Sequence, residues 1–201
     1  MSALAELYRQ IAACRECEDL ARTRNQVVPG EGPEQAQIVF IGEAPGLHED
    51  QQGRPFVGQA GQFLEQLLNS IGMSRKDVYI CNVIKCRPPG NRDPLPTEIK
   101  NCQKWLDRQL ELLSPKMIVT LGRYSLAKFF PGDTISKVHG KAKRQENTIY
   151  FAMYHPAAAL HQQSLRQTIE EDMRKIPSLL AQAEEVKEAK GEDKPQQLSM
   201  F

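Results

Sequence analysis

An α/β fold, a parallel sheet with helices on both faces, is predicted by two features of the 201-residue chain. Short apolar runs alternate with amphipathic helical repeats, and the runs end in glycine, proline and polar residues. Composition agrees, since 40% hydrophobic and 25% charged residues are ordinary globular values and one domain of this length can bury a real core. No segment reaches the apolar length of a membrane span, and the N-terminus has no secretory signal. The five cysteines are therefore expected as thiols in a reducing cytoplasm.

The elements follow in order. Gln37 to Glu43 is a buried strand that runs into the loop Gly42-Glu-Ala-Pro-Gly46. Phe63, Leu64, Leu67, Leu68 and Ile71 recur at helical spacing until Gly72 stops them. Val78 to Ile84 is a second strand, and Thr97 can cap a helix carrying Ile99, Cys102, Trp105, Leu106, Leu110 and Leu113. Met117 to Leu121 and Thr148 to Tyr154 complete a set of four strands. From Ala183 the chain turns charged and lacks aromatics until its last residue, so a body of residues 1–183 is expected to fray into a flexible tail, 184–201.

In such a sheet the ligand cleft lies beyond the carboxyl ends of the strands. Glu43, Asn82, Gly122 and His155-Pro156 stand at those ends, all at one edge. Glu49 and Asp50, a little further on, read as loop carboxylates.

Four of the five cysteines form a ligand set rather than a disulfide pattern: Cys14-x-x-Cys17, then Cys86 and Cys102. Zinc and a four-iron, four-sulfur cluster both accept four thiolates. The wide second spacing and the proline after Cys86-Arg87 favour iron and sulfur. Cys81, set among Val78, Tyr79, Ile80, Val83 and Ile84, reads as a small buried hydrophobe.

Net charge is only +1, but it is unevenly placed. The tail is net acidic, whereas Lys137, His139, Lys141, Lys143 and Arg144 form a run without an acid and Lys85, Arg87 and Arg92 crowd the cysteine loop. Each run is a solvated loop or a phosphate-binding patch.

Gly42-Glu-Ala-Pro-Gly46, Gly53-Arg-Pro-Phe-Val-Gly58, Asn82 ahead of Lys85-Cys-Arg-Pro-Pro, and His155-Pro-Ala-Ala-Ala-Leu160 occur in the order found in the family 4 uracil-DNA glycosylases, which this chain resembles from about Cys14 to Leu180. The resemblance implies a three-layer α/β/α fold around a central four-stranded parallel sheet. It also implies a 4Fe-4S cluster on Cys14, Cys17, Cys86 and Cys102, and hydrolysis of the N-glycosidic bond of deoxyuridine in single- or double-stranded DNA.

Roles follow from that chemistry. A base inside a duplex must leave the stack before its C1′ can be reached. Phe56 would stack on the extruded base, and Asn82 would pair with uracil O4 and N3–H, with Gly42 and Ala44 beside them. His155 would donate to O2, where charge grows as the bond lengthens, and Glu43 would orient water or stabilise the sugar cation. Classical uracil-DNA glycosylases carry an aspartate where this chain has Ala44, which leaves the duty of Glu43 open between those two. Lys85, Arg87 and Lys141 would meet phosphates, and Leu160 would fill the gap left by the base.

Each residue has a plainer alternative: core packing for Phe56 and Leu160, a strand-end turn for Asn82, a loop cap for His155. Two other functions compete, a catalytically silent iron–sulfur DNA-binding module and a related glycosylase of broader base range, such as hypoxanthine. The final Gln197-Leu-Ser-Met-Phe201 resembles the peptide that binds the bacterial sliding clamp, with Gln197, Leu198 and Phe201 as anchors. The chain is expected to act as a monomer.

Overall fold

The protein is described by a computed structural model covering residues 2–191, with side chains placed through Ala183. The clamp-like peptide carrying Gln197, Leu198 and Phe201 lies outside the described residues.

Strand β1 (Ile38–Gly42) is apolar throughout because both of its edges and both of its faces are covered. It pairs in parallel with β2 (Tyr79–Asn82) on one side and β3 (Met117–Leu121) on the other. Beyond β3 the chain makes a hairpin of β4 (Ala142–Gln145) and β5 (Thr148–Met153), whose second arm joins β3 in parallel. The order across the sheet is β2-β1-β3-β5-β4.

Alternate residues of β1 enter different cores, as the two-residue period of a strand requires. Ile38 and Phe40 pack with α4 (Gln59–Ser70), α9 (Leu165–Met173) and α10 (Ile176–Gly191), through Leu64, Leu68, Ile169, Met173 and Ile176. Val39 and Ile41 pack on the opposite face with Leu4, Leu7 and Ile11 of α1 (Ala3–Ala13), Leu20 of α2 (Glu18–Thr23) and Leu106 of α5 (Pro96–Leu113). Three layers result. Cys81 sits wholly buried in the second core, in keeping with its sequence surroundings.

Among the described residues the sheet has five strands rather than the four expected. The extra strand, β4, reads Ala-Lys-Arg-Gln and is mostly exposed, so it carries none of the apolar signal that marks the others. It is an edge strand protected by charge, antiparallel to β5, and the basic run read as a loop is in part this strand. Helix α5 also starts differently. Pro96 is its first residue and Glu98 accepts the Leu95 N–H at 2.8 Å, so Glu98 caps the helix where Thr97 was expected to.

The loop between α3 (Leu47–Gln52) and α4 is built around one strained residue. Phe56 has φ 53°, and Arg75 holds the carbonyls of Phe56 and Pro55 at 2.8 and 2.6 Å. Asp50, fully buried on α3, accepts the backbone and side-chain N–H groups of Asn25, so the segment after α2 is pinned to this loop. A Cβ on Gly61 would lie 1.8 Å from the Phe56 carbonyl oxygen. Gly61→Ala should therefore lower stability by about 1–3 kcal/mol despite the better helix propensity of alanine. Urea unfolding measures this, and an unchanged midpoint would mean that α4 moves away without cost.

Candidate functional site

The carboxyl ends of β1, β2 and β5 open into a cavity of about 480 Å³, whose lining includes Glu43, Ala44, Phe56, Asn82, Arg92 and His155. This size suits a small planar ligand with room for an attached group. Gly42 lies directly behind two of the lining side chains, Asn82 and Phe56. A Cβ there would lie 2.4 Å from Asn82 Oδ1 and 2.6 Å from Phe56 Cζ, so both side chains occupy the space that any other residue would fill.

Asn82 is the last residue of β2, directly opposite Gly42 in the ladder, and only 2% exposed. Its Oδ1 is buried with no hydrogen-bond partner. A buried acceptor left unmade is unfavourable by about 1–3 kcal/mol, and a ligand N–H entering the cavity would relieve that cost.

His155 follows β5 and caps α8 (Pro156–His161). Its Nδ1 accepts the Ala157 N–H at 3.1 Å, which forces the ring hydrogen of the neutral form onto Nε2. Burial pushes its pKa down to about 4, with Glu49 opposing weakly. At neutral pH the ring is an uncharged Nε2–H donor. Phe56 stacks on it, with centroids 5.4 Å apart, and Gly122 (φ 86°) gives it room from behind.

Glu43 is half-buried, and burial, reinforced by Asp93 and opposed by Arg123, holds its carboxyl above the usual range. Glu49 also lines the cavity. Its carboxylate accepts the N–H groups of Gly46, Val57 and Gly58 at 2.9–3.1 Å and so fixes the two loops that frame the entrance.

Cys14, Cys17, Cys86 and Cys102 are all free thiols and line a second, separate cavity. Three of the sulfurs already accept hydrogen bonds: Cys86 from Arg24 Nη1 (2.8 Å), Cys102 from the Lys85 backbone N–H (3.3 Å), and Cys17 from Asn101 Nδ2 (3.7 Å). Burial raises the Cys17 and Cys86 thiols and pushes Cys102 up to about 12. Among the described residues no group of three or more Cys, His, Asp or Glu side chains is set to hold a single metal ion. Four cysteine sulfurs are nonetheless a donor set that suits a soft, thiolate-seeking group.

The structure brings Glu43, Ala44, Phe56, Asn82 and His155 to one cavity, with Gly42 behind Asn82 and Phe56, and the four cysteines to another. Leu160 is 47% exposed on α8, next to the lining residues Ala157, Ala158 and His161. Arg87 is half-buried and bonded to Asn91, and Lys141 is exposed away from the cavity lining. Lys85 needs correction. It is 1% exposed and its Nζ donates to the Asn82 carbonyl at 2.8 Å, so the β2 end swallows it and it cannot reach a phosphate.

Reading Glu49 and Asp50 as loop carboxylates missed their work, because both bond to backbone N–H groups that only the fold delivers. Arg92, in the sequence one of the charges that crowd the cysteine loop, has a fixed place in the fold. It lines the cavity while Glu98 grips it at 2.7 and 2.9 Å. The spacing from Leu95 to Glu98 behind a proline was the available signal.

The sequence model described as Uracil DNA glycosylase superfamily matches residues 29–176. A protein from Archaeoglobus fulgidus named Type-4 uracil-DNA glycosylase is 48% identical over 188 residues, covering 89% of this chain and 94% of its own. Proteins of the same name from Sulfurisphaera tokodaii and Thermotoga maritima are 46% and 41% identical, covering 89% and 90% of this chain and 86% and 94% of theirs.

A His pKa below its ordinary 6.5 means that the folded state binds fewer protons than the unfolded one between those values. The stability contributed by neutral His155 is complete above pH 6.5 and is lost as pH falls toward 4. Nitrogen NMR should find the His155 ring neutral, with hydrogen on Nε2, from pH 8 to about 5. Titration of this ring near 6.5 would overturn the assignment.

Proposed function

The chain belongs to the uracil-DNA glycosylase superfamily, and from that footing we infer that it excises uracil from DNA by hydrolysing the N-glycosidic bond, leaving an abasic site. The observation that carries the reading is the buried, unpartnered Asn82 Oδ1 on the floor of the cavity, shared with a neutral histidine donor. Uracil supplies the missing partner. Its N3–H satisfies Oδ1 while its O4 accepts from Asn82 Nδ2. Cytosine reverses both positions and would leave two buried clashes of about 1–3 kcal/mol each.

The reaction follows from these groups. Once the nucleotide is flipped out, the N1–C1′ bond breaks with its electron pair going to N1, and charge grows on uracil O2. His155 Nε2–H donates there. Its low pKa keeps it from protonating the base, so it stabilises a departing anion rather than acting as an acid. Glu43, as its carboxylate, orients the water that attacks C1′ or balances the positive charge on the sugar. Phe56 supplies an apolar face for the base, Arg87 and Lys141 meet backbone phosphates, and Leu160 occupies the vacated stack.

Cys14, Cys17, Cys86 and Cys102 would hold a 4Fe-4S cluster. Four thiols on one cavity, already receiving N–H donors, support that reading. Such a group has no electron to move in hydrolysis. It would clamp the α1–α2 segment to the loop after β2. The clamp-like Gln197, Leu198 and Phe201 would tether the enzyme to a sliding clamp.

His155→Ala should slow single-turnover excision by about 10²–10³-fold with little change in DNA binding, as loss of a donor to developing charge does. Asn82→Ala should lose excision far more than affinity for undamaged DNA, and equal loss of both would indicate a folding defect instead. Gel-resolved alkaline cleavage of a uracil oligonucleotide measures both variants.

The purified protein should be brown and contain iron and acid-labile sulfide, with Cys81→Ala leaving both unchanged. Stoichiometric zinc without sulfide would defeat the cluster reading.

A further inference from the structure

Lys85 is a buried basic side chain. Only 1% of it is exposed, its Nζ donates to the Asn82 carbonyl at 2.8 Å, and no ion pair among the described residues includes it. A lysine in that state is strongly disfavoured unless opposite charge lies close by. The cavity it borders supplies the place for such charge. Lys85 lines it together with Cys14, Cys17, Cys86 and Cys102, and its own backbone N–H donates to the Cys102 sulfur at 3.3 Å.

A second cation lines the same cavity. Arg24 donates to the Cys86 sulfur at 2.8 Å and to the Cys14 carbonyl at 2.7 Å, so one guanidinium spans two of the four cysteine positions. A guanidinium bond to sulfur is strongest when the sulfur is a thiolate. Glu16 and Glu98 also line the cavity, but Lys104 and Arg92 pair with them, so Lys85 and Arg24 are the cations left beside the four thiols for a centre that is anionic overall.

We propose that Lys85, with Arg24, is the buried counter-charge of the cysteine centre, and that its bond to the Asn82 carbonyl makes it the positioning residue that connects this centre to base recognition. The proposal rests on the four-thiolate cluster read above. Its geometry is short: within four residues, the chain passes from the Asn82 amide in the substrate cavity to the Cys86 sulfur in the other. Lys85 is bonded to both sides. Losing its charge would leave the centre more negative, harder to reduce and easier to strip. Losing its Nζ would free the carbonyl that holds the end of β2.

The test compares wild type, Lys85→Met and Arg24→Gln for iron and sulfide content, iron release to a chelator, midpoint potential and single-turnover excision of uracil. Both variants should release iron about 10–100-fold faster, the range expected when a partner of a metal ligand is removed. Their potentials should move in the negative direction. At equal iron content, Lys85→Met should also lose more excision than Arg24→Gln, because only Lys85 touches Asn82. Wild-type release rates and potentials in both variants, on a wild type that holds iron and sulfide, would overturn the counter-charge and leave the cluster standing. A wild type without iron or sulfide would overturn both. Equal excision in the two variants would overturn the link to Asn82. Should Lys85→Met fail to fold, Arg24→Gln decides the counter-charge alone, with unchanged release and potential counting against it.

Discussion

The substrate cavity depends on an absent side chain. At position 42 the strand end has no Cβ, and the Asn82 amide and the Phe56 ring close over the backbone within 2.4 and 2.6 Å of where one would be. Neither contact is available to another residue without moving β2 or the Phe56 loop. The parallel register that sets Gly42 opposite Asn82 therefore fixes the floor of the site, and the remaining parts are arranged to hold two side chains against it. Arg75 keeps the Phe56 backbone in its left-handed conformation, Glu49 ties the two flanking loops together, and Gly61 lets α4 approach the same peptide.

Electrostatically the cavity is quiet. Its histidine is uncharged, Glu49 is spent on backbone N–H groups, Arg92 is paired with Glu98, and burial holds the Glu43 carboxyl above its usual range. A site of that kind contributes little to the ground state of a neutral base. It responds when charge appears, because a fixed N–H dipole in a water-poor cavity interacts far more strongly with an anion than with the neutral ring it came from.

The parts of this architecture that were legible in the sequence are those set by local pattern. The apolar runs that became β1, β2, β3 and β5 are buried on both faces and stand out for that reason, and the rule that ligands gather at strand ends pointed to Glu43, Asn82 and His155, which line one cavity. Strand β4 escaped because an exposed, charged edge has no hydrophobic signature. Glu49, Asp50 and Glu98 escaped because their partners are backbone N–H groups and an arginine whose positions depend on the folded loops. Lys85 was misread outright. Lysine is nearly always a surface residue, and nothing in Ile-Lys-Cys-Arg distinguishes a lysine turned inward from one turned to solvent.

The order of strands across the sheet also separates the cavity's walls along the chain. β1 and β2, which carry Gly42 and Asn82, are neighbours in space and lie within the first half of the chain, whereas β5 and His155 come later and add to the far side of β3. The α9 and α10 residues that cover Ile38 and Phe40 come later still, so a chain cut short before them would leave one face of β1 bare. The walls of the cavity are therefore completed as one folding unit and not in turn.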